Sequence, residues 1–313
     1  MSLAFVFPGQ GSQAVGMLDA FAGNAAVADV LARADAALGE PLSALIANGP
    51  AEALALTVNT QPAMLVASYA CLAAWRAAGG PEASAVAGHS LGEYTALVAA
   101  GALELEQAVP LVRLRARAMQ EAVAVGVGTM AAILGLDDEA VARACALARE
   151  GHPGEVVEPA NFNAPSQVVI AGHTAAVERA CQQAKALGAK RAVTLSVSAP
   201  FHSSLLAPAG ARLAQALAAV SVRAPKIALV NNVDAAVQAE PAGIVDALVR
   251  QSYSPVRWVE VVRKLRALGA TRVIEFGPGK VLAGLVGRID RDLAVSSVYD
   301  PATLGAALEE LAK

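Results

Sequence analysis

The stretch Ala83-Ser84-Ala85-Val86-Ala87-Gly88-His89-Ser90-Leu91-Gly92-Glu93-Tyr94 decides how the rest of the chain is read. A short apolar run ends at a glycine, a serine stands between Gly88 and Gly92, and an alanine-rich helical segment runs from Leu91 to Leu103. This is the strand–turn–helix pattern that lifts a serine hydroxyl out of a sharp turn. The two glycines fall where a Cβ would crowd that turn. Ser90 then sits at a helix N-terminus, where free N–H groups and the helix dipole favour developing negative charge. The spacing G-x-S-x-G also describes an ordinary glycine turn, so its meaning depends on what surrounds it.

Working outward, Leu3 to Phe7 reads as a buried strand followed by the loop Pro8-Gly9-Gln10-Gly11-Ser12-Gln13. Helical patterns cover Asn24 to Leu38, Thr60 to Ala78 and Glu104 to about Val123. Apolar strands alternating with helices predict a parallel sheet covered on both faces. From Gly126 the texture changes. A strand Thr129–Leu136, a helix Asp138–Arg149 capped by Asp137, and strands Val156–Phe162 and Gln167–Ala171 follow. A helix capped by Thr174 and running to Leu187, then a strand Arg191–Val197, complete a βαββαβ order, the split ferredoxin-like unit. The expectation is an α/β domain over 1–125 and 198–313, with 126–197 as an inserted ferredoxin-like subdomain. The later elements are helix Leu205–Ala219, strand Ile227–Val230, helix Ile244–Arg250 and helix Val256–Leu268 opened by Pro255. Strand Arg272–Phe276, helix Val281–Ile289, strand Leu293–Val298 and helix Thr303–Leu311 close the chain.

With 313 residues, 56% of them hydrophobic, the chain can bury one large core or two. A net charge of -3 and no basic run longer than Lys190-Arg191 give no reason to expect nucleic acid. Cys71, Cys145 and Cys181 show no ligand spacing and read as small hydrophobes in a reduced compartment. The N-terminus lacks a basic n-region, and the apolar stretch Val123–Leu136 is too short and glycine-rich to span a bilayer. A cytoplasmic protein without a membrane partner is expected. No His or Cys pair has metal-ligand spacing, and the phosphate-loop and dinucleotide fingerprints are absent.

A serine nucleophile needs a base, and only His89, His152, His173 and His202 exist. His89 adjoins the serine and reads as a packed or hydrogen-bonded turn residue. His152 and His173 fall in loops of the insertion. His202 remains, where the chain re-enters the large domain. A standard esterase of the α/β-hydrolase kind places its histidine late, and here none follows position 202. On the helix around residues 111–119, Leu111, Leu114, Ala118 and Met119 form the apolar stripe and Arg115 lies on it, whereas Arg113 and Arg117 point away. A guanidinium there either snorkels to the surface or needs an anion: a buried Asp or Glu, or a carboxylate of the substrate. Gln10 lies in the loop after the first strand. Its backbone N–H could join that of Leu91 in an oxyanion hole, or the loop could be only a tight turn.

At these residues the chain resembles the malonyl-CoA:acyl-carrier-protein transacylase family of type II fatty acid synthesis, almost end to end. The resemblance rests on Phe7-Pro8-Gly9-Gln10-Gly11-Ser12-Gln13, Gly88-His89-Ser90-Leu91-Gly92-Glu93-Tyr94, Arg115, Asn161-Phe162-Asn163 and Ala199-Pro200-Phe201-His202. Val230-Asn231-Asn232-Val233, Arg250-Gln251 and Gly277-Pro278-Gly279-Lys280 extend it. It implies an α/β-hydrolase-like domain with a ferredoxin-like insertion. It also implies a ping-pong acyltransferase in which Ser90 carries the malonyl ester and His202 acts as base and then acid. Arg115 would bind the malonyl carboxylate, Gln10 and Leu91 would supply oxyanion N–H groups, and the backbone carbonyl of Gln251 would orient the histidine. Asn161 would join the substrate-binding residues. Phe201 and Leu91 resemble malonyl rather than methylmalonyl variants. Malonyl-CoA would be the donor substrate with no permanently bound cofactor, and acyl carrier protein the partner. Lys190, Arg191, Arg288 and Arg291 are candidates for a local basic patch toward that acidic partner, or an ordinary solvated face. A serine thioesterase or esterase, a trans-acting acyltransferase of polyketide synthesis and an inactive docking module are the rivals. A chain without fused modules favours fatty acid synthesis.

Overall fold

The computed structural model describes residues 2–312. Among the described residues ten strands form two sheets: β1 (Leu3–Phe7), β2 (Ala85–Gly88), β3 (Gly128–Leu134), β4 (Val157–Ala164), β5 (Gln167–His173), β6 (Arg191–Thr194), β7 (Ala228–Val230), β8 (Val237–Gln238), β9 (Arg272–Phe276) and β10 (Ala294–Val298). The larger sheet has the order β10-β9-β1-β2-β7-β8, parallel throughout except for β8, which pairs antiparallel with β7. The apolar run of β1 is buried at every position, as a central parallel strand covered on both faces requires. Leu3, Phe5 and Phe7 face one core, where Phe5 meets Trp75 and Phe276 edge-on at ring separations of 6.3 and 4.8 Å. Ala4 and Val6 face the other core, with Trp258 and Val273.

The second sheet, β4-β5-β3-β6, is antiparallel throughout and carries the helices Asp138–Arg149 and Thr174–Ala186. Its β-α-β-β-α-β order and strand arrangement are ferredoxin-like. Strand alternation divides its two faces. Ala131, Ile133, Val168 and Ile170 pack under those helices, while Met130, Val169 and Ala171 turn toward Ala118 and Met119 of the helix Leu105–Glu121. The second face also meets Ala199 and Phe201, in the segment that leads into His202.

Several local expectations fail for identifiable reasons. The helix after the serine turn spans only Gly92–Ala99, and Gly101 (φ 71°) follows in a left-handed turn. Asp137 does cap its helix, accepting from Ala140 N at 2.7 Å. Thr174 does not: its hydroxyl donates to Gly126 O, and His173 occupies the cap position. Pro255 does not open a helix. Val256 instead pairs with β4, donating to Ala160 O and accepting from Phe162 N, and the helix begins at Trp258. The short helices Leu42–Asn48 and Ala51–Leu54 and the strand β8 carry too few residues for a periodic signal. Strand β6 stops at Thr194, with one further bond from Leu195 N to Met130 O of β3 (2.9 Å) before the chain turns away.

No helix among the described residues is long and apolar enough to cross a membrane.

Candidate active site

The nucleophile turn is built by close approach. A Cβ on Gly88 would stand 1.9 Å from Gly92 C, and one on Gly92 would stand 2.0 Å from Phe7 O. With both glycines in place, the turn from β2 into the helix Gly92–Ala99 can close against β1. Ser90 takes φ 52°, a left-handed conformation costly for a non-glycine residue and held only where surroundings over-determine it. Three hydrogen bonds do so: Ser90 N donates to Asn232 Oδ1 (2.7 Å), while Ser90 O accepts from Gln251 Nε2 (2.9 Å) and Glu93 N (3.1 Å).

His202 is also left-handed, at φ 63°. Ser203 Oγ ties its turn to Pro200 O at 2.7 Å, and Ser204 ties it to Glu158 of β4 through two bonds of 2.8 and 2.9 Å. The imidazole Nε2 lies 2.6 Å from Ser90 Oγ and Nδ1 lies 2.8 Å from the Gln251 main-chain carbonyl. A carbonyl only accepts, so Nδ1 carries the proton and Nε2 offers its lone pair to the serine hydroxyl. Burial first, and then the charge of Arg115, push the His202 pKa down to about 3, so the imidazole is neutral. Neutral His202 is in the form that can receive a proton.

Arg115 lies on the buried face of the helix Leu105–Glu121 and is 2% exposed. Its Nη1 donates to Gln61 Oε1 (2.6 Å), and its Nη2 donates to Gln251 Oε1 (2.9 Å) and Ser90 Oγ (3.2 Å). The guanidinium carbon sits 5.4 Å from the Tyr94 ring centre, over a π-face. Those hydrogen-bond partners are two carboxamides and a hydroxyl, none of them an anion. Burial lowers the Arg115 pKa from its ordinary value. The buried Asp or Glu that a structural ion pair would need is not among its hydrogen-bond partners. Arg113, two residues away, has such a pair: its Nη1 is 2.9 Å from Glu40.

The remaining predicted residues divide clearly. The backbone N–H groups of Gln10 and Leu91 donate to no protein acceptor among the described residues, and the Gln10 loop lines the same cleft as Ser90. Asn161 on β4 is buried at 7% exposure and lines that cleft, its backbone bridging to Val256. The cleft holds ≈ 320 Å³, with Ser90, Arg115 and His202 on one side and an apolar wall of Met130, Val169, Leu195, Val197 and Phe201. His89 turns away from the serine hydroxyl; its Nε2 meets Asn163 Oδ1 at 2.7 Å and its ring lies 5.5 Å from that of Trp258. His173 is structural, with Nδ1 accepting from Val156 N at 2.9 Å. Lys190, Arg191, Arg288 and Arg291 are exposed, and Arg288 Nη1 donates to Gln167, a cleft residue.

Sequence reasoning missed Gln61, Glu93 and Asn232, all buried and all hydrogen-bonded to the residues above. Gln61 carried the same signal as Arg115, a polar residue on a buried helix. Burial pushes the Glu93 carboxyl up to about 7, against hydrogen bonds from Gln251 and Asn232 that lower it. Among the described residues no group of three or more His, Cys, Asp or Glu could hold a metal ion.

Residues 4–296 match the acyl transferase domain family. The chain is 52% identical to the malonyl CoA-acyl carrier protein transacylase of Salmonella typhimurium over 308 residues, covering 98% of this chain and 99% of that one. Among solved structures it is similar to an acyl-carrier-protein S-malonyltransferase from Burkholderia pseudomallei, with 62% identity, TM-score 0.96, and coverage of 99% and 100% of the two chains. It is also similar to a malonyl-transacylase solved in complex with its type II PKS acyl-carrier protein, at 47% identity and TM-score 0.96, covering 99% of this chain and 100% of that one. With a family match over residues 4–296 and relatives matched over nearly the whole chain in both sequence and fold, the chain belongs to the acyl transferase family, in its malonyl CoA-acyl carrier protein transacylase branch.

Proposed function

We propose that the protein moves a malonyl group from coenzyme A to the phosphopantetheine thiol of an acyl carrier protein, through an ester on Ser90, as an extender-unit step of fatty acid synthesis. One observation carries the reading: a buried guanidinium with no anionic hydrogen-bond partner stands 3.2 Å from the nucleophilic oxygen. A carboxylate on the acyl group is the anion such a fork is shaped to receive, in bidentate fashion. Acetyl groups have none, so the arginine selects for the diacid half-ester.

In the first half-reaction His202 Nε2 takes the Ser90 hydroxyl proton as Oγ attacks the thioester carbonyl. The developing oxyanion points to the N–H groups of Leu91 and Gln10, aided by the helix N-terminus. The C–S bond breaks and the coenzyme A thiolate leaves with the proton from His202. In the second, the carrier's thiol gives its proton to the same nitrogen and attacks the Ser90 ester. The C–O bond breaks and the serine recovers its proton. Gln251 holds Nδ1 through a neutral carbonyl rather than a carboxylate, which keeps the imidazole in the working tautomer. Malonyl-CoA is a substrate here and no resident cofactor enters the chemistry. Cytoplasmic residence fits this substrate pair. Asn161 contributes a free side-chain amide to the wall of the cleft, and Lys190, Arg191, Arg288 and Arg291 offer positive charge to an acidic carrier.

The test is the intact mass of the protein after mixing with malonyl-CoA, and again after adding carrier protein bearing phosphopantetheine. A gain of one malonyl group, absent in Ser90→Ala and discharged onto the carrier, supports the transferase. An adduct lost to free malonate without a carrier would make the protein a hydrolase instead.

A further inference from the structure

Gln251 makes two contacts that the proposed chemistry needs, and they come from different parts of the residue. Its main-chain oxygen accepts from His202 Nδ1, and its side-chain Oε1 accepts from Arg115 Nη2 at 2.9 Å. It is the last residue of the helix Pro241–Gln251 and is fully buried. Side-chain carboxamides have two faces of opposite polarity, and Arg115, which only donates, takes the oxygen face.

Contacts on the other side hold the same orientation, the carboxyl of Glu93 among them. Gln251 Nε2 donates to Glu93 Oε2 (2.9 Å) and to Ser90 O (2.9 Å), with Asn232 Oδ1 at 3.4 Å. Every one of these atoms is an acceptor. Turning the carboxamide over would set Oε1 against three oxygens and Nε2 against the N–H groups of Arg115, leaving four unfavourable pairings in a dry site. Glu93 Oε2 also accepts from Asn232 N at 2.9 Å, so the same oxygen holds the residue whose Oδ1 receives Ser90 N. Since Oε2 already receives two donors, it remains an acceptor in either protonation state of the carboxyl. Glu93 itself is 1% exposed, and both donors to Oε2 are neutral amides. A carboxyl group buried against neutral donors needs surroundings arranged for it, and this one neither lines the cleft nor touches the reacting atoms.

We infer that Glu93 is a positioning residue: by fixing the polarity of the Gln251 carboxamide it holds Arg115 in place for the acyl carboxylate and keeps the Gln251 carbonyl on His202. The inference rests on the function proposed above. It assigns the acidic residue three places after the nucleophile to acyl-group selection, not to proton transfer.

Malonylation of wild-type Ser90 tests the functional reading alone, without reference to Glu93. The inference is read from the ratio of kcat/KM for malonyl-CoA to that for acetyl-CoA, measured by intact mass in Glu93→Gln, Glu93→Asp and Glu93→Leu, with thermal unfolding of each as a fold control. Glu93→Gln retains an acceptor oxygen of the same reach and keeps the malonyl preference. Glu93→Asp keeps the charge but draws it back by one methylene, and Glu93→Leu removes the acceptor. Both lower the malonyl-to-acetyl ratio by about tenfold, the consequence of taking one acceptor from the buried Gln251 Nε2 donor. A uniform loss for both acyl donors, leaving the ratio at the wild-type value in Glu93→Asp, overturns the inference and leaves Glu93 a structural residue. So does a Glu93→Gln variant as unselective as Glu93→Asp. Should Glu93→Leu fail to fold, Glu93→Asp against Glu93→Gln decides.

Discussion

The Gln251 main-chain oxygen lies 2.8 Å from His202 Nδ1, in the position a carboxylate takes beside the histidine of a Ser–His–Asp arrangement. A neutral carbonyl fixes the tautomer as a carboxylate does, but it adds no negative charge to stabilise an imidazolium. With Arg115 also nearby, nothing within this group raises the affinity of His202 for a proton enough to offset burial.

The consequence is a histidine that stays neutral across the physiological range. Its imidazole resonances should not move between about pH 5 and 8 in NMR titration, and a midpoint near the ordinary value of ~6.5 would contradict the site geometry. The sign for stability follows. The unfolded chain binds this proton near ~6.5 and the folded chain only at about 3. The His202 contribution is therefore fully present above ~6.5 and is lost as pH falls from there toward 3.

Arg115→Ala removes the fork that receives the acyl carboxylate. The expected loss in malonyl-CoA kcat/KM is about 2–5 kcal/mol of binding, the scale for truncating one partner of a buried hydrogen-bonded charge pair. Acetyl transfer should fall far less. Parallel kinetics with the two donors check this, and an equal loss for both with the fold intact would show Arg115 to be structural.

Gly92→Ala and Gly88→Ala test the close approach of the nucleophile turn. Their added Cβ atoms would stand 2.0 Å from Phe7 O and 1.9 Å from Gly92 C, both backbone atoms that cannot step aside cheaply. Each should cost about 3 kcal/mol or more, at the upper end for overpacking, and urea midpoints measure it. Gly284→Ala, where the added Cβ meets nothing within 4 Å, is the control.

Glu275 is a fully buried carboxylate at the end of β9 that accepts from Leu282 N (3.1 Å) and Ala283 N (2.7 Å), holding the first turn of the helix Val281–Ile289. Burial raises its pKa to about 7. A raised carboxyl contributes stability that is complete below its unfolded value of 4.5 and is lost as pH climbs through about 7. Glu275→Gln should therefore flatten the fall in unfolding free energy between those values. An unchanged slope, read from denaturation at several pH values, would contradict the assignment.

Much of the site was legible because local patterns carry it. The two glycines around Ser90 mark a turn that only small residues permit, and Arg115 betrays itself as a charge on an apolar stripe. The histidine emerged because His89 adjoins the nucleophile and His152 and His173 fall in the insertion, which leaves His202. What stayed hidden was polar and long-range. Gln61, Asn232 and Glu93 lie 54, 142 and 158 positions from their partners Arg115, Ser90 and Gln251. No periodicity of one segment reports such pairings.

Helix starts were misread at Thr174 and Val256 for the same reason. Thr174 hydroxyl and Val256 backbone are claimed by Gly126 and by β4, partners supplied by the fold and not by neighbours in the chain. The sequence by itself determined the apolar strands, the serine turn and the buried arginine, since hydrophobic period, glycine placement and charge on an apolar face are local facts. Tertiary structure alone decided which carboxamide faces Arg115, which carbonyl holds His202 and which acceptor disciplines Gln251, because hydrogen-bond polarity is settled only once distant donors and acceptors share one dry site.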